Sequence, residues 1–405
     1  MRINLVGTIF GVTGYDIHTK KLANALYKLN PDIKLDVPLV QNWHTLVNDE
    51  ELKMLKATPK QSDVTIALMT PPFWRLPLAN NTKKFIGFCV WEGSKVPEYW
   101  IEYLMDERVD QIWCPSQHTK DAIMKTWDEY ETNEEVNPIS QKIKIVPHGV
   151  DLDIFNQQVK KVVCDSQNDK QLEPRNTTEE DNKDETKTVG VDNQLVDGSP
   201  FRFFVNKGWR GGMEDRGGVQ YVLKAFGEEF KKGENVELLV KLNPSYINPA
   251  NVNEEIKKLN LPEEGAKIMI MNSVTSPEKI AELCNESDCY VCATRAEAFD
   301  LGTAEAMACG LPIITTNYGG QIEHMDETCA DFIDYDLVDV KGDIQYEGIM
   351  QAVPDIKHLR TLMRKMFNNK KDTKNKGVNA RKFISEKFTW DLTAKKAMNF
   401  LEELK

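Results

Sequence analysis

The chain has 405 residues, with 51 Lys and Arg against 63 Asp and Glu and a formal net charge of −12. That acidity excludes a general attraction to nucleic acid or to anionic membranes, and leaves only local patches for peripheral membrane contact. The length exceeds one ordinary core, so two domains are expected. No apolar run of about 18 residues is present to cross a bilayer.

In chain order, "MRINLVGTIFG" opens like a short secretory segment but lacks a small-residue cleavage site. It reads instead as a buried first strand entering a glycine-rich turn. A helix follows around "IHTKKLANALYKL". "DVTIALMT", "KKFIGFCVW", "VDQIWCPS" and "KIKIVPHGV" are further strands, with the helix "KDAIMKTWDEY" before the last of these. A second set begins at "FRFFVNKGW" and runs through the helix "VQYVLKAFGEEFKK", the strand "VELLVKLN", the strand "AKIMIMNSV", the helix "PEKIAELCNES" and the strands "DCYVCAT" and "LPIITT". Strands alternating with helical patterns indicate α/β architecture with parallel sheets.

Residues 158–199, between the two sets, are polar, acidic and nearly free of large apolar side chains. Such a segment buries too little surface to offset its ordering entropy and is expected to be a disordered insertion. The expected division is 1–157, completed by a last helix over about 388–405, the insertion at 158–199, and 200–387. Eight cysteines include Cys284, Cys289 and Cys292. The alternation in "DCYVCAT" sends Cys289 and Cys292 to opposite faces, which favours buried free thiols in a cytoplasmic protein over a metal site. The Asn176-Thr177-Thr178 sequon has no expected role in that compartment.

Two such domains create a cleft at the carboxyl ends of their strands, where α/β sheets place ligands. The window "ATRAEAFDLGTAEAMACGLPIITT" there reads as strand, turn and helix, with Gly310 as the helix stop. The N–H groups of Leu301, Gly302 and Thr303 would cradle a phosphate. Glu305, a turn into the helix, would accept ribose hydroxyls, and Glu297, across the phosphates, the hydroxyls of a sugar. The alternative makes both glutamates surface acids and Asp300 a helix N-cap. Upstream, "FVNKGWRGGMEDRGGVQYVLKAF" sets Lys207, Arg210 and Arg216 in a glycine-rich loop between strand and helix. Guanidinium forks suit phosphate oxygens and would neutralise a leaving diphosphate without a metal. Arg216, beside Gly217-Gly218, leads among the three. Met271 and Asn272 end a strand and would offer backbone groups to a base edge.

"EAFDLGTAEAMACGLPIITT" resembles the E-x7-E region of the family 4 retaining glycosyltransferases, which have the GT-B fold. "VPHGVDLDIFN" resembles that family's interdomain segment, "RVDQIWCPSQHTKDAI" its strand–helix turn, "DRGGVQYVLKAF" its basic helix start, and "FTWDLTAKKAMNFLEEL" its final helix. The resemblance implies two Rossmann-like domains, with Glu305 on the ribose, Glu297 near the transferred sugar, and no cofactor or metal. Asp300 stands where glycine is common and Arg216 where lysine is common. It further implies that the loop carrying Thr13, Gly14 and Tyr15 faces the cleft. Glu92, in "VWEGS", would orient the acceptor or help remove its proton; pairing with a nearby base is the other reading. Among the histidines, His18 is a cleft candidate, His148 supports the hinge and His118 starts a helix. Phe73, Trp74 and Leu76 would either pack their loop or meet an apolar acceptor.

The function expected is transfer of a hexose from a UDP- or GDP-sugar to a hydroxyl on a glycan, lipid or small molecule. A nucleotide-sugar epimerase or hydrolase on the same fold, and a non-catalytic nucleotide-sugar-binding scaffold, are the alternatives.

Overall fold

The computed structural model describes residues 1–37, 47–57, 61–78, 82–130, 137–158, 198–247, 249–341 and 346–404. The insertion expected over 158–199 lies outside them except at its two ends.

The first half contains β1 (Ile3–Val6), α1 (Gly14–Leu29), β2 (Ile33–Asp36), α2 (Asp49–Lys56), β3 (Ser62–Leu68), α3 (Arg75–Leu78), β4 (Thr82–Phe88), α4 (Ile101–Leu104), β5 (Gln111–Cys114), α5 (Gln117–Tyr130), α6 (Pro138–Lys142) and β6 (Ile143–Ile145). Its strands form one parallel sheet in the order β2-β1-β3-β4-β5-β6. The second half contains β7 (Phe201–Lys207), α7 (Val219–Glu229), β8 (Val236–Leu242), α8 (Val252–Lys258), β9 (Lys267–Asn272), α9 (Pro277–Asn285), β10 (Cys289–Cys292), α10 (Leu301–Ala308), β11 (Ile313–Thr316) and β12 (Ala330–Ile333). These strands make a second parallel sheet, ordered β12-β11-β10-β7-β8-β9. An antiparallel hairpin, β13 (Tyr335–Asp339) with β14 (Met350–Pro354), follows, and then α11 (Ile356–Asn368), α12 (Lys370–Lys387) and α13 (Trp390–Glu402). Two parallel sheets covered by helices are the GT-B architecture.

Sequence explains much of this locally. The strands of a sheet covered on both faces read as apolar runs, and alternate residues of β7 and β10 feed separate cores. Phe203, Val205, Cys289 and Val291 lie in one, Phe204, Tyr290 and Cys292 in the other. Cys289 and Cys292 thus do face opposite ways, and the seven cysteines among the described residues are free and buried. Helix α1 starts at a reciprocal capping box between Thr13 and Asp16 and buries Leu22 and Leu26. Strands β2 and β12, the β13–β14 hairpin and the helices α2, α3, α4, α6, α8, α11 and α12 are additions to the sequence reading. Trp74 is fully buried while Phe73 and Leu76 beside it are exposed, so that loop divides between packing and surface.

The final helix belongs spatially to the first sheet. Trp390, Ala394, Ala397 and Leu401 of α13 share a core with Leu22 and Leu26 of α1. The crossing is tight: Val150 donates to Phe388 O at 2.9 Å, and a Cβ on Gly149 would lie 2.3 Å from Trp390 N. Glycine is required at this hinge by close approach alone.

At the same hinge, three imidazoles are buried together. His18 and His148 have ring centroids 3.9 Å apart, and Phe299 lies 5.0 Å from His148 and 4.5 Å from His324. None of the six ring nitrogens has a hydrogen-bond partner among the described residues. His18 therefore packs in the hinge and does not reach the cleft, because its position on α1 points at β4 and α13 rather than at the glycine-rich turn. Burial drives all three toward the neutral form: His148 falls to about 3, His324 to about 4 and His18 well below its usual value.

A histidine depressed in the folded state binds its proton more readily once unfolded, so stability falls as pH drops below the unfolded value of about 6.5. Denaturant titrations from neutral pH to pH 4 are expected to lose up to about 1.4 kcal/mol per pH unit for each histidine. His148→Leu is expected to make that slope shallower. An unchanged acid limb in the variant would contradict a buried, neutral His148.

Candidate active site

The carboxyl ends of β7 and β10 bring together the charges that the sequence sets 90 residues apart. Lys207 ends β7. Its ammonium sits 2.7 Å from Asp300 Oδ1 and 2.9 Å from Glu297 Oε1, and the Lys207 and Asp300 side chains are 8% and 3% exposed. Burial acts to neutralise Lys207, but Asp300, Cys292 and Glu297 reverse this and hold it charged far above its usual range. Asp300 is likewise pushed up by burial and pulled down further by Lys207, with hydrogen bonds from Thr303 and Cys292 assisting, so it is ionised.

Asp300 is also the N-cap of α10, in a left-handed conformation at φ 69°. Its Oδ1 accepts Thr303 N–H at 3.4 Å, and its Oδ2 accepts the Thr303 hydroxyl. The expected phosphate cradle is therefore smaller than the sequence suggests. Thr303 N–H is taken by the cap, and Leu301 and Gly302 supply the remaining half-buried N–H groups at the helix start. The cap reading of Asp300 holds, and its charge is answered by Lys207 rather than left facing an anion.

Arg216 lies across the cleft mouth. Its Nη1 donates to Ala296 O at 3.0 Å and is 3.6 Å from Glu297 Oε2, while its Nε is 3.4 Å from Glu92 Oε1 on the first sheet's side. The side chain is 38% exposed. The loop that carries it is fixed by Gly218, whose φ is 78° and whose Cβ would stand 1.9 Å from Ala293 O. Arg216 O in turn accepts Arg295 N–H at 2.9 Å and the Thr294 hydroxyl at 3.0 Å.

Glu92 thus has a basic partner, and it also accepts the Tyr346 hydroxyl at 2.5 Å. Tyr346 stacks on Trp91, centroids 5.1 Å apart. Tyr15 donates its hydroxyl to Val90 O at 2.9 Å beside this group. Of the turn before it, Thr13 is committed to the helix cap and Gly14 is exposed in open space. Arg210 does not join the cations: it is exposed, with its guanidinium 6.0 Å from the Tyr246 ring centroid and its N–H on Asp215.

Glu305 faces the space between the halves. Burial is the main cause of a carboxyl pKa raised to about 8, with Asp300 and Asp151 adding and Lys21 and Lys241 opposing. Its carboxylate has no hydrogen bond or ion pair among the described residues. Met271 is half-buried on the face of β9 toward α10, whereas Asn272 turns away to donate to Ile247 O at 3.4 Å.

Three contributors were not foreseen. Tyr346 lies in the connection between β13 and β14, where nothing in the local pattern marks it. Glu323 accepts the N–H groups of Gln117 and His118, both at 2.7 Å, and so joins the second half to the N-terminus of α5 in the first. Lys241 interrupts the apolar strand "VELLVKLN", and that interruption is a legible signal.

Residues 207–336 match the family model described as Glycosyl transferases group 1. This span is similar to the group 1 glycosyltransferase domain. It begins at Lys207 and contains Arg216, Glu297, Asp300 and Glu305. A probable sucrose-phosphate synthase of Thermosipho melanesiensis is 21% identical over 197 residues, covering 47% of this chain and 40% of that relative's own length. Among solved structures, a sucrose-phosphate synthase from Thermosynechococcus elongatus superposes with a TM-score of 0.63 at 15% identity, covering 100% of this chain and 98% of the other. The Anabaena protein HepE, solved with UDP and glucose, gives 0.63 at 12% identity over 100% of both chains. The matched span thus sits in a chain whose fold as a whole is similar to those of these two proteins.

Removing Lys207 from this cluster leaves Asp300 buried without its cation, which costs about 3–5 kcal/mol. Lys207→Met is expected to lose that much in urea unfolding, and Lys207→Met with Asp300→Asn to recover most of it. Equal losses in the single and double variants would show the two charges are not coupled.

Proposed function

We propose that the chain is a metal-independent, retaining glycosyltransferase that moves a hexose from a UDP- or GDP-sugar to an acceptor hydroxyl. The observation that carries this reading is the preformed group at the start of α10. Arg216, partly exposed, and Lys207, whose ammonium offsets Asp300, stand beside a helix N-terminus with open N–H groups at Leu301 and Gly302. Flanking it are Glu297 and Glu305, the latter without a partner among the described residues. A diphosphate placed on Leu301 and Gly302 is met by positive charge, Glu305 takes ribose hydroxyls on one side, and Glu297 takes sugar hydroxyls on the other.

In the reaction the acceptor oxygen bonds to the anomeric carbon on the face the diphosphate leaves. The carbon–oxygen bond to the diphosphate breaks, its electron pair goes to the leaving oxygen, and the acceptor proton passes to that oxygen. Charge gathers on the diphosphate, and prepositioned cations and dipoles stabilise it where it forms. Arg216 is suited to this because its ion pairs with Glu92 and Glu297 are 3.4 and 3.6 Å long and leave it partly exposed. It can exchange those carboxylates for phosphate oxygens. Closure of the two halves, joined through Arg216–Glu92 and Glu323–α5, would exclude water from the donor. HepE, solved with UDP and with UDP-glucose, supports the choice of donor class.

Product formation from purified protein with a panel of UDP- and GDP-sugars and acceptors tests the proposal. Arg216→Ala and Glu297→Ala are expected to lower transfer about 10²-fold or more; unchanged rates would refute the site. Glu305 offers a second test. Accepting ribose hydroxyls favours its ionised form, so UDP-glucose affinity is expected to rise with pH toward the carboxyl's value of about 8. The rise approaches tenfold per pH unit for one coupled proton, and Glu305→Gln is expected to flatten it.

A further inference from the structure

Lys241 is 7% exposed near the carboxyl end of β8, and its ammonium has no hydrogen bond or ion pair among the described residues. The stem of Lys241 is buried while its ammonium keeps some contact with solvent, and a cation held there without a partner is still costly. Its direction follows from the strand. Lys241 pairs in register with Asn206 and Met271, and it shares the face of Leu239, which packs in the core that includes Ala304 and Met307 of α10. That is the face on which Glu305 stands, also without a partner, and the field of Glu305 acts on Lys241 against the neutralising effect of burial. An acid and a base therefore stand on the same face between β8 and α10, neither bonded to the other, one turn of α10 beyond the expected diphosphate position.

We infer that Lys241 binds the donor's nucleobase through a ring carbonyl and selects uracil or guanine over adenine. The inference rests on the nucleotide-sugar reading above. This face asks for one molecule carrying hydroxyl donors for Glu305 and an acceptor for Lys241. A ribose supplies the first. The concentrated acceptors that remain on a nucleoside are the exocyclic oxygens of uracil and guanine. At that exocyclic position adenine presents an amino group, a donor that meets an ammonium unfavourably, and leaves only its ring nitrogens as acceptors. Met271, beside Lys241 on the neighbouring strand, offers a flexible apolar surface for the base.

Calorimetric binding of UDP, GDP and ADP to the full chain, at a pH above the Glu305 titration, tests this. Wild type is expected to bind UDP or GDP about tenfold or more tightly than ADP, in keeping with one charge-assisted hydrogen bond. Lys241→Met is expected to lose most of that margin while ADP affinity stays within about twofold. Its ligand-free melting temperature is expected to hold or rise, since a buried unpaired charge has been removed; a merely structural lysine would lower it. Lys241→Gln, which keeps an N–H donor, is expected to fall between the two. Unchanged affinities, an equal loss for all three nucleotides, or a fall in melting temperature in both variants would overturn the inference alone. Wild type that binds no nucleotide would overturn it together with the proposed function.

Discussion

The contact on which the site depends is the buried ion pair between Lys207 and Asp300. It joins the end of β7 to the start of α10, with 2.7 Å between the charges and almost no solvent around them. A carboxylate at a helix N-terminus is stabilised by the helix dipole, but alone it would repel an anion bound at the same place. Lys207 removes that conflict. Because it also reaches Glu297 at 2.9 Å, one ammonium fixes the cap and the neighbouring acid together. The helix start can then present its remaining N–H groups without rearranging.

Arg216 extends this fixed group to the other half of the molecule. Lys207 and Asp300 are held by burial, whereas Arg216 is held by two longer ion pairs and one carbonyl. The contrast separates a rigid base from an adjustable clamp. With Glu92 and Tyr346 on one side and Glu297 on the other, Arg216 connects the halves. Glu323 on the N-terminus of α5 makes a second connection through the same physics, a carboxylate meeting unsatisfied helix N–H groups. The hinge between them is apolar and tight, with three neutral histidines and Gly149 pressed against α13.

The sites of local sequence logic were the ones legible in advance. Asp300 as an N-cap, Gly310 as a helix stop, the opposed faces of Cys289 and Cys292, and the basic loop before α7 all follow from neighbours within a few residues. His18, Arg210 and Thr303 N–H were misplaced for one shared reason. The direction of a side chain or the prior use of an N–H depends on what packs against it. His18 turns into the hinge because α13 returns from the far end of the chain. Tyr346 was invisible because its role comes from stacking on Trp91, more than 250 positions away.

By itself, the sequence determined the alternation of strands and helices, the two sheets that alternation implies, and the acids and bases that gather at their carboxyl ends. Hydrophobic period, glycine and proline positions and capping residues act over short distances, so a linear reading captures them. Only the tertiary structure decided which charges meet. It paired Lys207 with Asp300 rather than with solvent, set Arg216 between the halves, and left Glu305 and Lys241 without partners among the described residues. Those outcomes turn on burial and on separations of a few ångströms between residues distant in the chain, and electrostatic energy changes most steeply over that range.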